Sequence, residues 1–218
     1  MNKLEFDGIS LQFGFHQVLS SVHMTFETGQ VVGLLGRNGA GKSCLMRIVF
    51  GNMRSETKSV RCNGKHLSGN YMNKRITGYL PQGDLLPDFI TFEQALNLYE
   101  IGFEKILDVY PDATDFLKRK AYEVSGGQRR LFETLLILFA KHPFCFLDEP
   151  FSGLMPIHIE RLTEIIQEVK LRKGILISDH LHRQVRGIAD KLYVLTNGKT
   201  YLIKSNEQLI ELGYLTEL

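Results

Sequence analysis

The stretch GQVVGLLGRNGAGKS, residues 29–43, decides the fold. It begins as an apolar run rich in Val and Leu, of a length that suits a buried parallel strand. Gly36, Asn38, Gly39 and Gly41 then permit tight backbone conformations closed to bulkier residues. A helical pattern follows, with Leu45, Met46, Ile48, Val49 and Phe50 on it. Strand, glycine-rich turn and helix are the context in which G-x-x-x-x-G-K-[ST] cradles phosphate. Backbone N–H groups and the helix N-terminus hold phosphate oxygens there. Lys42 is placed to neutralise the β- and γ-phosphates of a nucleotide, and Ser43 to ligate Mg²⁺.

Working outward, FCFLDEP at residues 144–150 is a second apolar run, closed by Asp148 and Glu149. A parallel sheet presents ligand sites at the carboxyl ends of its strands, so these acids are expected to meet the phosphate loop. Asp148 suits the Mg²⁺ shell, reached through water. Glu149, one residue on, suits polarising an attacking water. VSGGQ at residues 124–128 reads as Ser125 capping a long helical stretch, 126–140. Its exposed N–H groups and positive dipole end favour an anion. This phosphate signal and the phosphate loop cannot serve the same nucleotide on one chain, which points to a nucleotide-driven dimer.

These residues carry a resemblance. The chain resembles the nucleotide-binding subunits of ATP-binding cassette (ABC) transporters. GRNGAGKS matches Walker A, YLPQ the Q-loop, VSGGQ the family signature, FCFLDEP Walker B with its catalytic acid, and SDH the switch histidine. The five motifs stand in the family's order and span most of the chain. The resemblance implies a P-loop α/β cassette that binds and hydrolyses ATP with Mg²⁺. It implies ATP contacts from Arg37, Asn38, Gly39, Ala40, Gly41, Lys42, Ser43 and Cys44. Lys42, Gln82, Glu149 and His180 become the catalytic set, and Ser43, Gln82 and Asp148 the Mg²⁺ set. Gln82 would sense the γ-phosphate and report to a membrane partner. His180 would contact the γ-phosphate and steady the water and Glu149, with His182 a bystander. Ser125, Gly126 and Gly127 would bind the γ-phosphate held by the opposite subunit, and Gln128 belongs to the same motif. The aromatic-Gly-x-x-x-x-Leu pattern fits Phe13, Gly14 and Leu19. Phe13 is therefore expected to stack on the base, with Phe15 as the alternative; stacking gives affinity but little base selectivity.

The resemblance also implies partners: a second cassette, identical or different, and an integral membrane permease on a separate chain. The place it implies is the cytoplasm, peripheral on the inner face of the membrane. GYLPQ and LDEPFSGLMPI resemble the ATPases of lipopolysaccharide export and branched-chain amino-acid uptake. Two positions depart from the family. Met155 stands where the loop after Walker B usually has Asp, so a polar link between the two sites is missing. Cys44 stands where Thr is usual and reads as a small packed residue. Two other classes remain in view. One is a soluble ABC protein of translation or DNA repair, whose usual second cassette or long coiled-coil insertion is not seen here. The other is an ATP-binding regulatory module, which Met155 favours and Glu149 and His180 oppose.

The remaining sequence sets bounds. A net charge of +2 gives no support for a nucleic-acid footprint. The basic run 118–120 reads as a solvated helix face. No stretch approaches the roughly 20 apolar residues of a membrane span, and MNKLEFDG lacks an apolar signal region. Three scattered Cys suggest reduced thiols. Residues 4–32 alternate in places and predict antiparallel strands. Asn63-Gly64 and Asn197-Gly198 read as hairpin turns. TFEQALNLYEIGFEKIL has helical spacings, in the region that in the family meets the permease. The expectation is one domain over 1–218: a mixed α/β core, an antiparallel lobe and a helical subdomain at about 88–142.

Overall fold

The computed structural model describes residues 1–67, 76–212 and 214. The alternating N-terminal stretch forms a hairpin of β1 (Lys3–Phe13) and β2 (His16–Glu27), with Leu4 opposite Phe26 and Phe6 opposite Met24. The antiparallel pattern stops at Glu27, short of Val32. Val31 and Val32 instead open β3 (Val31–Leu35), whose five residues are all buried. Such a run needs cover on both faces, which the antiparallel sheet does not give it. The phosphate-loop helix is α1 (Lys42–Phe50). Next come β4 (Thr57–Cys62) and β5 (Lys65–His66), joined at Asn63 and Gly64. Both turn residues have positive φ, 52° and 73°, as a two-residue hairpin turn requires.

Beyond β6 (Thr77–Leu80) lie two short helices, α2 (Phe92–Leu98) and α3 (Phe103–Leu107). The helical spacings of Phe92, Ala95, Leu96 and Tyr99 are borne out in α2 and its C-cap, and the chain then turns at Glu100, φ 56°, before α3. Glu100 N–H donates to Asn97 O (3.1 Å) and Ile101 N–H to Leu96 O (2.9 Å). This left-handed cap buries Ile101, so hydrophobic contact ends the helix. Residues 118–120 are exposed as expected, yet they lie between two short 3₁₀ helices, Pro111–Asp115 and Ala121–Glu123, not on a helix face. Lys120 bridges Thr91 there, which draws the backbone into an extended path.

The second half alternates strand and helix. It comprises α4 (Gly126–Phe139), β7 (Phe144–Asp148), α5 (Pro156–Lys170), β8 (Gly174–Ser178), α6 (His182–Ile188), β9 (Lys191–Thr196), β10 (Lys199–Ile203) and α7 (Asn206–Glu211). Asn197 and Gly198 turn the β9–β10 hairpin, again with positive φ. The larger sheet runs β10-β9-β3-β8-β7-β6, parallel except for that hairpin; the smaller runs β2-β1-β4-β5.

Period-two alternation decides which layer each strand residue joins. Phe144 and Phe146 face the antiparallel sheet, where they meet Phe6 and Phe26 in edge-on or tilted contacts at centroid distances of 5.4–6.4 Å. Cys145 and Leu147 face the other way, toward α4 and α5. Burial of each such ring stabilises by roughly 1.5–3 kcal/mol. The central parallel sheet is thereby clamped between two cores, and the carboxyl ends of β3 and β7 are held side by side with β8 between them.

Candidate functional site

Those strand ends supply the site. After β3 the loop turns through Ala40 N–H to Arg37 O (3.1 Å) and reaches Gly41 at φ 99°. A Cβ at Gly41 would stand 2.8 Å from Val18 Cγ1, so neither conformation nor space admits a side chain. No side chain caps α1, which leaves its first N–H groups directed into a cleft of about 490 Å³. Lys42 Nζ donates across the loop to the carbonyls of Gly36 (2.7 Å) and Arg37 (3.2 Å). Burial pulls the Lys42 ammonium below its ordinary value, opposed by the nearby Asp148 and Glu149 charges.

The two acids differ sharply. Asp148 is buried behind the cleft, where it accepts from the Ser43 hydroxyl and from Tyr79 Oη (3.3 Å). Burial raises its carboxyl above the ordinary range, and the Ser43 hydrogen bond works against that rise. Glu149 lines the cleft with a left-handed backbone, φ 58°, a costly conformation for a residue with a Cβ. Its N–H donates to Ser178 O at 2.6 Å. Gln82 Nε2 and His180 Nε2 both converge on Glu149 Oε1, at 3.0 and 2.7 Å.

The structure thus brings Phe13, Asn38, Gly39, Ala40, Gly41, Lys42, Ser43, Cys44, Gln82, Glu149 and His180 around one cleft. Phe13 lies on its wall, whereas Phe15 is fully exposed and away from it. Arg37 lies outside this cleft, in an adjoining hollow with Thr196 and Tyr214. Cys44 is half-buried, and burial raises its thiol.

Ser125, Gly126, Gly127 and Gln128 are not on the cleft. Ser125 Oγ accepts from Gln128 N (3.2 Å) and Gln128 Oε1 accepts from Ser125 N (3.1 Å), a reciprocal cap on α4. A Cβ on Gly127 would lie 2.5 Å from Gly153 O, so the helix start packs tightly on the loop after β7.

Sequence reasoning missed three groups near the site: Tyr79, Arg130 and Asp179. Tyr79 holds Asp148 and is the first residue of the YLPQ motif, three positions before Gln82. Arg130 donates to backbone carbonyls on both sides of the cleft. Asp179 accepts from the N–H groups of Phe151 and Leu181, both at 2.9 Å, fixing the loops beside Glu149 and His180. His182 accepts from or donates to Tyr214 Oη at 2.7 Å, so it is bound to the C-terminal segment. Burial, then the Lys42 and His180 charges, lower the His182 imidazole.

Residues 19–152 match the family model described as ABC transporter. The chain belongs to the ABC transporter ATP-binding family. The cassette is 30% identical to the high-affinity branched-chain amino acid transport ATP-binding protein BraG of Pseudomonas aeruginosa, over 95% of this chain and 94% of that one. It is also 30% identical to the lipopolysaccharide export system ATP-binding protein LptB of Haemophilus influenzae, over 96% and 93%. Among solved structures, an ATP-binding subunit of an ABC transporter superposes with a TM-score of 0.81 at 27% identity, covering 97% of this cassette and 93% of that chain. The cassette is therefore an ATPase with the P-loop ABC fold, as its motif order implied. None of its described helices is long and apolar enough to cross a membrane.

Proposed function

We propose that this ATPase drives transport by a separate membrane permease, at whose inner face it docks, as one of two cassettes that close head to tail on two ATP molecules. The observation that carries this reading is the convergence of Gln82 and His180 on Glu149 at the mouth of the phosphate loop. On this reading the whole chain is one cassette, with residues of about 88–142 as its helical subdomain. Phe13 stacks on the base. Gly39 to Ser43 and the α1 N-terminus hold the phosphates, with Lys42 turning from the Gly36 and Arg37 carbonyls to the β- and γ-oxygens. Ser125 to Gly127 stand away from the chain's own cleft and serve the partner's γ-phosphate, while Gln128 maintains the cap that aims them.

Ser43 and Asp148 fit a Mg²⁺ ion. Hydroxyl and buried carboxylate are already in contact, both are hard oxygen donors, and a carboxylate raised by burial gains from a neighbouring cation. Gln82 completes the protein's share of that set. Bound Mg²⁺ would draw charge from the phosphates. Glu149 takes a proton from water as its oxygen attacks the γ-phosphorus and the bond to the β–γ bridging oxygen breaks. His180 keeps Glu149 and the water in line. Positioning and charge stabilisation supply most of such a reaction.

The two relatives are named for unlike cargo at equal identity, so what carries over is the motor they share. Glu149→Gln tests the reading: it should bind ATP with near-normal affinity and lose turnover by about 100-fold or more. Near-normal phosphate release would reject Glu149 as the base.

A further inference from the structure

Arg130 sits within the buried part of α4, only 7% exposed, and spends its guanidinium on main-chain carbonyls. Nη1 donates to Pro81 O (2.7 Å) and Gly83 O (3.3 Å), the two residues flanking Gln82. Nε donates to Glu149 O (3.0 Å), and Nη2 to Asp148 O. One rigid fork therefore joins the Q-loop backbone to the backbone of both acids. Glu149 is the residue with most need of such restraint. Its left-handed φ persists only where surroundings over-determine it. Ser178 O fixes its N–H at 2.6 Å, and Arg130 fixes its C=O. Arg130 also lies on the helix that Ser125 caps, so the α4 backbone links the signature residues to both flanks of the chain's own cleft.

We infer that Arg130 is a positioning residue for hydrolysis, setting the carboxylate of Glu149 and the amide of Gln82 against each other by clamping their backbones. It touches neither nucleotide nor water in this role. The inference rests on Glu149 being the base. Lys at this position keeps the charge but presents a point donor in place of a planar fork. It reaches one or two of the four carbonyls, so geometry is lost while charge is retained.

The test is single-turnover hydrolysis per bound nucleotide for E149Q, R130K, R130Q and the double variant E149Q/R130K, with affinity from titration of a fluorescent ATP analogue. R130K should lower the hydrolysis rate about tenfold or more while ATP affinity moves less than about threefold. A role confined to folding would move stability and affinity together instead. On the E149Q background R130K should cost less than about threefold, because both changes disable the same group. Wild-type turnover in R130K overturns the inference. So does a double variant whose loss is the product of the single losses. Should R130K not fold, R130Q is read by the same two criteria. Near-normal turnover in E149Q overturns the assignment of the base and this inference with it; multiplicative losses beside an inactive E149Q overturn the inference alone.

Discussion

At the scale of single residues, neighbours of the same type have different fates. Phe13 and Phe15 differ by two positions, yet one lines the cleft and the other projects fully into solvent. Stacking on a base is worth about 1–3 kcal/mol, so Phe13→Ala should raise KM for ATP roughly tenfold while Phe15→Ala leaves it unchanged. Equal effects in steady-state assays would place the base elsewhere. Asp148 carries a cost that its proposed Mg²⁺ role would explain. Its folded-state carboxyl is raised above the ordinary 3.8, chiefly by burial. The nucleotide-free fold therefore binds that proton more tightly than the unfolded chain does. Stability falls as pH rises from the ordinary value through the raised one, and the loss is complete above it. Asp148→Asn should melt higher than the parent at neutral pH without nucleotide, with the gap closing toward about pH 4. A lower melting temperature at neutral pH would contradict this.

At the scale of elements, helix ends are where sequence and structure meet most closely. Met155 occupies the N-cap of α5, ahead of Pro156, and its side chain accepts no hydrogen bond. It is 60% exposed. An Asp there can accept from the first-turn N–H groups, so Met155→Asp should stabilise the fold by about 0.5–2 kcal/mol in urea denaturation. An unchanged midpoint would mean that the loop geometry denies the cap. The α4 boundary, the two Asn-Gly hairpins and the phosphate loop were legible because each is written in local residues with their own conformational preferences. The break at Glu100 was not, because its left-handed cap is driven by burial of Ile101 in the tertiary core. Arg130 was equally hidden. An Arg in a helix reads as solvent-facing until the Q-loop and Walker B carbonyls that it serves are folded around it. The parallel strand at Val31 was legible, but the antiparallel stretch was carried too far, to residue 32, because whether Val31 is covered on one face or two depends on strands more than a hundred residues away.

At the scale of the whole molecule, the informative fact is a separation. Gln82, His180 and Glu149 meet at the phosphate loop, while Ser125 to Gln128 stand at another edge and contribute nothing to that cleft. On the proposed reading a single cassette holds half of each kind of site, and a second copy in head-to-tail register would complete both. On that head-to-tail reading, Met155 offers no polar side chain at the junction, and closure would rest on nucleotide contacts. The most direct measurement is the mass of Glu149→Gln by light scattering on a sizing column, with and without Mg-ATP. The account predicts the single-chain mass without nucleotide and twice that mass with it. A single-chain mass in both conditions, with ATP binding confirmed, would contradict the claim that two copies of this chain complete each other's sites.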